Sequence, residues 1–223
     1  MCGRFAISHI PGLFARFMIH DPEFQIQPRY NIAPTQDVPV IVPGSPRTFT
    51  MMRWGLVPFW AKSPKIGNRL INARSETIAK SPAFGASVKR RRCLVPATGF
   101  YEWRKVDGRK MPYYCHLKND SFFAFAGLYD RWRTPEGTDL MTFTIVTTTP
   151  NPLVEKLHNR MPVMLREEHE QAWISSQPLE AADLKSVVAP YPASRMEIYR
   201  VSPAVGDPRN ESEDLVRPLA AAR

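Results

Sequence analysis

Long apolar runs, CxxC pairs and the layout of a signal peptide are missing from this 223-residue chain. No apolar run approaches about 18–20 residues, the length that a membrane-spanning helix needs. Cysteine occurs three times, as Cys2, Cys93 and Cys115, an odd number without metal-binding spacing. This usage indicates a reducing compartment and argues against a disulfide framework or a structural zinc site. We therefore expect a cytoplasmic protein with no membrane segment and no metal.

Common catalytic signatures are absent as well. The sequence has no GxGxxG, GxxxxGK[ST], HExxH or GxSxG pattern, so nucleotide-binding, zinc-protease and α/β-hydrolase functions lose most of their support. The run EEHE at 167–170 fits the solvated acidic first turn of a helix, because consecutive helical residues do not face one another. We expect no cofactor.

Basic residues and prolines are abundant. Thirty Lys and Arg against twenty-one Asp and Glu leave a net charge of +9, which favours a polyanion such as nucleic acid as partner. A basic protein without such a partner fits the same composition. The 22 prolines are about twice the average usage and predict many short elements, because proline interrupts helices and central strands.

Hydrophobic patterns predict strands in the middle of the chain and helices on both sides. Strands are predicted at 37–44, 47–57 and 196–202, together with an antiparallel meander over 93–149 that turns at Asp107-Gly108, Asn119-Asp120 and Gly137. Helices are predicted at 12–20, 71–84, 150–159, 166–176 and 179–188. This order favours an α+β fold with a curved antiparallel β-sheet or barrel-like core flanked by short helices.

The chain is short enough for one domain. We expect residues 1–212 to form it and residues 213–223 to form a C-terminal tail, partly disordered, with Leu215 and Val216 docked on the domain.

Cys2 directly follows the initiator methionine, and its small side chain permits removal of Met1. Removal would leave an α-amine and a thiol on one residue, a pair that condenses with an aldehyde to a Schiff base and then closes to a thiazolidine. An α-amine has a pKa of about 7.7–8.0 against about 10.4 for lysine, so its neutral form is far more abundant near pH 7.5. A chance position explains the same cysteine.

Three internal segments also carry side chains suited to catalysis, each with a structural alternative. Glu102 lies between two aromatic residues, which would desolvate the carboxyl group and raise its pKa, but strand alternation could equally turn it outward. His158 in LHNRMP could be part of a helix stop signal. INARSET at 71–77 could be a capped helix start.

Several segments together resemble a known family. They are MCGRF, RYNIAPTQ at 29–36, WGLVPFWAK at 54–62, INARSET, RCLVPATGFYEWRK at 92–105, HNRMPVML at 158–165 and VSPAVGDPRNES at 201–212. In this order they closely resemble the SOS-response-associated peptidase (SRAP) family, the abasic-site-processing proteins of bacteria and eukaryotes. The resemblance spans residues 2 to 212.

The resemblance implies a monomer of SRAP-type fold that acts in the DNA damage response, is nucleoid-associated if bacterial, and captures abasic sites in single-stranded DNA through Cys2. It implies three further catalytic residues: Asn72 to hold the opened sugar or its phosphate, Glu102 as acid/base, and His158 as proton shuttle. It also implies DNA binding by Arg4, Trp60, Arg74 and Arg160.

Two other functions stay open. Cys2 could be the nucleophile of a cysteine peptidase with His158 as base, with Met1 as its own target, or the chain could bind single-stranded nucleic acid without a covalent step. The sequence also departs from the family pattern, because Thr98 replaces a common aspartate and Ala61 replaces a second aromatic after Trp60.

Overall fold

A computed structural model describes residues 2–20, 24–44, 46–175 and 177–219. The strands β1 to β12 are Phe5–Ile7, Arg29–Ile32, Asp37–Val42, Thr48–Trp54, Asn72–Arg74, Arg92–Ala97, Gly99–Val106, Arg109–Leu117, Phe123–Arg133, Asp139–Thr148, Met161–Pro162 and Met196–Arg200. The helices α1 to α4 are Leu13–Phe17, Gly85–Arg90, Glu167–Ile174 and Ala181–Val187. Short 3₁₀ turns lie at Pro64–Arg69, Ile78–Lys80, Val154–Lys156, Ala193–Arg195, Pro203–Gly206 and Glu213–Val216. Among the helices in these ranges, none has the length and apolar character needed to span a membrane.

The strands form two sheets. Five strands pair antiparallel in the order β12-β8-β7-β1-β2. The second sheet runs β11-β10-β4-β3-β6-β9, and β9 also pairs with β10, so the five strands from β10 to β9 close into a barrel. Strand β10 is parallel to β4 and to β5, which lies beside it off the main path. The predicted α+β fold with a barrel-like core is confirmed.

Turn chemistry explains why the central strands pair as hairpins. Asp107 and Gly108 have φ angles of 47° and 77°, the left-handed conformation that a tight two-residue hairpin turn requires, and they join β7 to β8. Gly99 at the start of β7 has a different role. A Cβ added there would meet the Tyr114 ring at 2.2 Å, so the close approach of β8 depends on glycine.

Three sequence-based predictions are wrong in detail. The meander is interrupted, because β8 and β9 lie in different sheets and do not pair with each other. Strand β8 forms a hairpin with β7, and β9 forms a hairpin with β10. The helix predicted at 71–84 begins instead as strand β5, which pairs with Ile145–Thr147 of β10. The helix predicted at 150–159 is reduced to the turn Val154–Lys156.

The C-terminal segment packs on the fold as far as it is described. Leu215 is buried and Val216 packs beside it, as predicted, against one face of the five-stranded sheet. Residues 220–223 of the predicted tail lie outside the described residues.

The two faces of the five-stranded sheet have different neighbours. One face, with Phe5, Phe100 and Cys115, belongs to the large hydrophobic core, in which Phe5 contacts Trp54 of β4 and Phe125 of β9. The other face, with Tyr101 and Tyr114, belongs to a smaller cluster covered by the C-terminal segment. We call these the core face and the outer face, because residues alternate between them along each strand.

Candidate functional site

Cys2 is buried where the N-terminal segment enters β1. Phe5 pairs with Phe100, and the Tyr101 amide donates a hydrogen bond to the Arg4 carbonyl at 3.0 Å. This register carries the preceding residues alongside β7 towards Glu102. The Cys2 side chain has no solvent exposure. Met1 lies outside the described residues.

Glu102 lies on the core face of β7 and is only 2% exposed. Burial raises the pKa of its carboxyl group to about 7, but the flanking Tyr101 and Trp103, which the sequence suggested as the desolvating residues, lie on the outer face. Burial and the nearby Glu102 charge also raise the pKa of the Cys2 thiol well above its usual range. The thiol is therefore neutral at physiological pH, and Glu102 can both accept and donate a proton.

Asn72 connects the two sheets at this point. It lies on β5, and its Nδ2 donates a hydrogen bond of 2.8 Å to the Cys2 carbonyl. Its Oδ1 is buried and has no hydrogen-bond partner among the described residues. Because a buried amide oxygen without a partner is costly, this atom is available to an N–H donor that enters the site.

His158 lies in the segment between β10 and β11. It follows the turn Val154–Lys156 and precedes β11, which pairs with the C-terminal end of β10. Its Nδ1 accepts a hydrogen bond from the Arg160 amide at 3.0 Å, so the neutral ring carries its proton on Nε2. Partial burial lowers the pKa of His158, which favours the neutral ring.

The three arginines that the resemblance assigns to phosphate differ in their surroundings. Arg74 is exposed, and within the described part of the chain its side chain makes no hydrogen bond or ion pair. Arg160 forms a two-point ion pair with Glu76, at 2.6 and 3.0 Å, and also donates to the Thr147 carbonyl at 2.7 Å. Glu76 is a neighbour that the sequence analysis missed, although it belongs to the same INARSET segment as Arg74.

Arg4 is directed into the protein. Its Nη1 donates to Asn31 Oδ1 at 2.6 Å and to the Val205 carbonyl at 2.7 Å, which ties the N-terminal segment to β2 and to the C-terminal segment. Nη1 of Arg4 is thus engaged in structural contacts, while its Nε is buried without a hydrogen-bond partner among the described residues.

Trp60 lies in the loop after β4 and is 49% exposed. Its indole Nε1 donates to the Pro82 carbonyl at 3.3 Å, which orients the ring. Phe59 beside it is 60% exposed, so two adjacent aromatic side chains face solvent although Ala61 is small. The sequence analysis did not select Phe59, although its position next to Trp60 marks it as a second aromatic residue of the same loop.

Thr98, at a position where many family members have aspartate, makes hydrogen bonds that support the fold. Its Oγ1 accepts a hydrogen bond from the Ser8 amide at 2.9 Å and donates to the Ala6 carbonyl at 3.2 Å. These contacts fix the end of β1 against β7.

Known proteins resemble this chain over its whole length. The profile of the family described as SOS response associated peptidase (SRAP) matches residues 1–208. Abasic site processing protein YoqW of Bacillus subtilis is 44% identical over 221 residues, which cover 97% of this chain and 99% of the relative. Abasic site processing protein HMCES of Gallus gallus is 30% identical over 264 residues, covering 98% of this chain and 78% of the relative.

A solved structure agrees with these relatives in fold. The crystal structure of a protein from Bacteroides thetaiotaomicron superposes with a TM-score of 0.88 at 27% identity, covering 98% of this chain and all of the other. Profile, relatives and fold together establish that the chain belongs to the SOS response associated peptidase family.

Proposed function

We propose that this chain processes abasic sites in DNA by capturing the lesion covalently on Cys2. The observation that carries the proposal is the pairing of a buried Cys2, held by Asn72, with a buried Glu102 whose pKa is raised to about 7. The names of the relatives, abasic site processing proteins, support the choice of lesion.

The chemistry starts from the chain after Met1 has been removed. The free α-amine of Cys2 adds to the aldehyde carbon of the opened abasic sugar, and the carbinolamine loses water to give a Schiff base. The Cys2 sulfur then bonds to the imine carbon, and the thiol proton passes to the nitrogen. The product is a thiazolidine ring, and one water has been released. The amine acts first because burial keeps the thiol protonated.

Three neighbouring groups assist these steps in our proposal. Glu102 gives a proton as the sugar ring opens and as water leaves, and during ring closure it takes the thiol proton and passes it to the nitrogen. Asn72 Oδ1 accepts a hydrogen bond from the Cys2 amine or from the opened sugar. His158 presents its Nε2 proton to the sugar or to a departing oxygen.

In the same proposal, residues on or next to the strands of the barrel bind the DNA strand. Arg74 offers a guanidinium that has no partner among the described residues, and the Arg160 guanidinium can bind both Glu76 and a phosphate. Trp60, with Phe59 beside it, provides an exposed aromatic surface on which an unstacked base of a single strand can lie. Because the site joins the N-terminal segment to both sheets and to the C-terminal segment, we treat residues 1–212 as one functional domain.

A second candidate function is self-removal of Met1 by Cys2, which the family name favours. Cysteine peptidases need a thiolate and a histidine nitrogen that accepts its proton. Here burial raises the pKa of Cys2, and the Nδ1 acceptor of His158 is taken by the Arg160 amide. Both observations weigh against an efficient thiolate mechanism.

The test is a denaturing gel of the protein mixed with a single strand that contains one abasic site. We expect a heat-stable shifted band, with the added mass on Cys2 in peptide mass spectra. A strand whose abasic aldehyde has been reduced to an alcohol is the matched control and should give no band. Intact mass first establishes that Met1 is absent. If protein without Met1 gives no adduct, covalent capture is wrong.

The same preparations distinguish the alternatives. Loss of Met1 from the purified protein over time, only when Cys2 is present, would support self-removal. Binding of the strand without any adduct would support a non-covalent module.

A further inference from the structure

A row of arginines continues the core face of the five-stranded sheet beyond Glu102. Glu102 pairs with Tyr113, and Tyr113 pairs with Arg200, so these three side chains share one face. Alternation along β7 puts Arg104 on that face two residues further, at about 6.8 Å. Arg109 pairs with Val106 and lies on the same face, diagonal to Arg104.

The three cations of this row are exposed. Within the residues that the structure describes, Arg104, Arg109 and Arg200 form no salt bridge, and the Arg200 guanidinium donates a hydrogen bond to the Met111 sulfur at 3.3 Å. Arg104 and Arg109 occupy diagonal positions on paired strands, about 7–8 Å apart, so their like charges repel one another. A bound anion would remove that cost.

The row also contains a surface suited to bases. Tyr113 and Met111 lie between the arginines, and both are partly exposed. Alternating cations and an aromatic ring are what proteins use to follow single-stranded nucleic acid.

The position of the row complements the arginines on the barrel side. Arg74 and Arg160 lie around the end of β10, where Arg74 pairs with Thr147 and Arg160 donates to the Thr147 carbonyl. On the five-stranded sheet, the cation that the resemblance assigns to DNA is Arg4, and its guanidinium is bound to Asn31 and Val205. A strand that leaves the site over the core face therefore meets the arginine row first.

We propose that Arg104, Arg109 and Arg200 bind phosphates of the DNA strand on one side of the captured lesion. This inference rests on the proposed function and adds a binding surface to it. It assigns the nucleotides on one side of the lesion to Arg74 and Arg160, and the nucleotides on the other side to the row on the five-stranded sheet.

The hairpin supplies its own matched control. Lys105 and Lys110 pair directly across β7 and β8, are exposed, and lie on the outer face. The double variant Arg104→Gln/Arg109→Gln and the double variant Lys105→Gln/Lys110→Gln remove the same charge from the same hairpin on opposite faces. Arg200→Gln tests the third member on β12.

The measurement is non-covalent affinity as a function of salt, with a strand whose abasic sugar lacks the aldehyde. Each phosphate contact on single-stranded DNA contributes about 0.7 to the slope of log affinity against log salt. We expect the arginine double variant to lose about 1.4 from the slope and Arg200→Gln to lose about 0.7. The lysine variant should stay close to the wild type.

Strands truncated on one side of the lesion locate the contact. One truncated strand keeps only the nucleotides on one side of the lesion, and a second keeps only those on the other side. The arginine variants should lose salt slope with one of these strands and keep the wild-type slope with the other. Equal losses in the arginine and lysine variants, or equal losses on both truncated strands, would overturn the proposal in favour of net charge. An unchanged slope in all variants would also overturn it.

Adduct formation by the wild type keeps the two proposals distinct. If the wild type captures an aldehyde-bearing strand and the arginine variants keep its salt slope, only the arginine row is wrong. If the wild type forms no adduct, covalent capture is wrong, and the salt slopes still decide whether the row binds DNA.

Discussion

Replacing Glu102 by glutamine tests the proposed chemistry most directly. Glutamine keeps the shape of this side chain, which is 2% exposed, but it cannot transfer a proton. A positioned acid/base group typically contributes about 10²–10⁴-fold to a proton-transfer step. We expect adduct formation in the Glu102→Gln variant to slow by a factor in that range, while affinity for the strand stays the same or improves slightly.

The same variant should change the pH dependence of stability. Burial raises the Glu102 pKa from 4.5 to about 7, so within that pH window the folded state keeps a proton that the unfolded state has released. The stability contribution of the protonated carboxyl is therefore complete below pH 4.5 and is lost as pH rises to about 7. At about 1.36 kcal/mol per pH unit, the loss is on the order of 3 kcal/mol. Glu102→Gln should gain that much relative to the wild type above the window.

Two assays check these expectations. Single-turnover adduct formation across pH should show an alkaline fall near pH 7 in the wild type if Glu102 acts as an acid, and the variant should lack it. Denaturant unfolding at pH 4 and pH 8 measures the stability difference. Glu102→Asp should restore part of the rate, because it keeps the proton. A glutamine variant that reacts at the wild-type rate would refute the role of Glu102, whatever its stability.

Three further predictions concern other parts of the molecule. Cys2→Ser should keep the amine and so form a Schiff base that borohydride traps, and an undiminished yield of heat-stable adduct without borohydride would rule out the thiazolidine. Arg74→Ala and Arg160→Ala should each weaken binding of single strands of any sequence and lower the salt slope by about 0.7, whereas unchanged slopes would make these arginines structural. Gly99→Ala should lower the free energy of unfolding by about 1–3 kcal/mol, because its Cβ would meet the Tyr114 ring at 2.2 Å, and a wild-type melting temperature would contradict this packing.

The strands of the central region are predictable because their signals are local. The Asp107-Gly108 turn and the alternating residues around it define the β7–β8 hairpin without reference to the rest of the chain. Strand β5 is different. Its three residues become a strand through pairing with β10, about 70 residues away, and local propensity carries no record of that partner.

Local sequence patterns also do not show that the strands divide into two sheets. The Asn119-Asp120 turn fits a hairpin, and Asp120 does adopt a positive φ of 51°, yet the chain crosses there from one sheet to the other. Both sheets need antiparallel strands with buried faces, so the periodic pattern is the same whether or not β8 pairs with β9.

The sequence shows which residue types could form the candidate site, but it does not show which contacts they make. The sequence marks Glu102 as a carboxyl between two aromatic residues, but Tyr101 and Trp103 face the outer side of the sheet, and Glu102 is buried on the core face instead. Arg160 and Arg4 look alike in the sequence. Only the fold separates them, because one is paired with Glu76 and the other is bound inside by Asn31 and Val205.

The contact between Arg4 and the Val205 carbonyl joins residues that are 201 positions apart. A ribosome therefore makes Arg4 201 residues before Val205. At about 5–20 residues per second, roughly 10–40 seconds separate the two events. During that interval Arg4 lacks its tie to the C-terminal segment, although the strand partners of the N-terminal segment on β7 have already been made. Synthesis of the segment around Val205 therefore adds the last of the contacts that hold Arg4, two residues from Cys2.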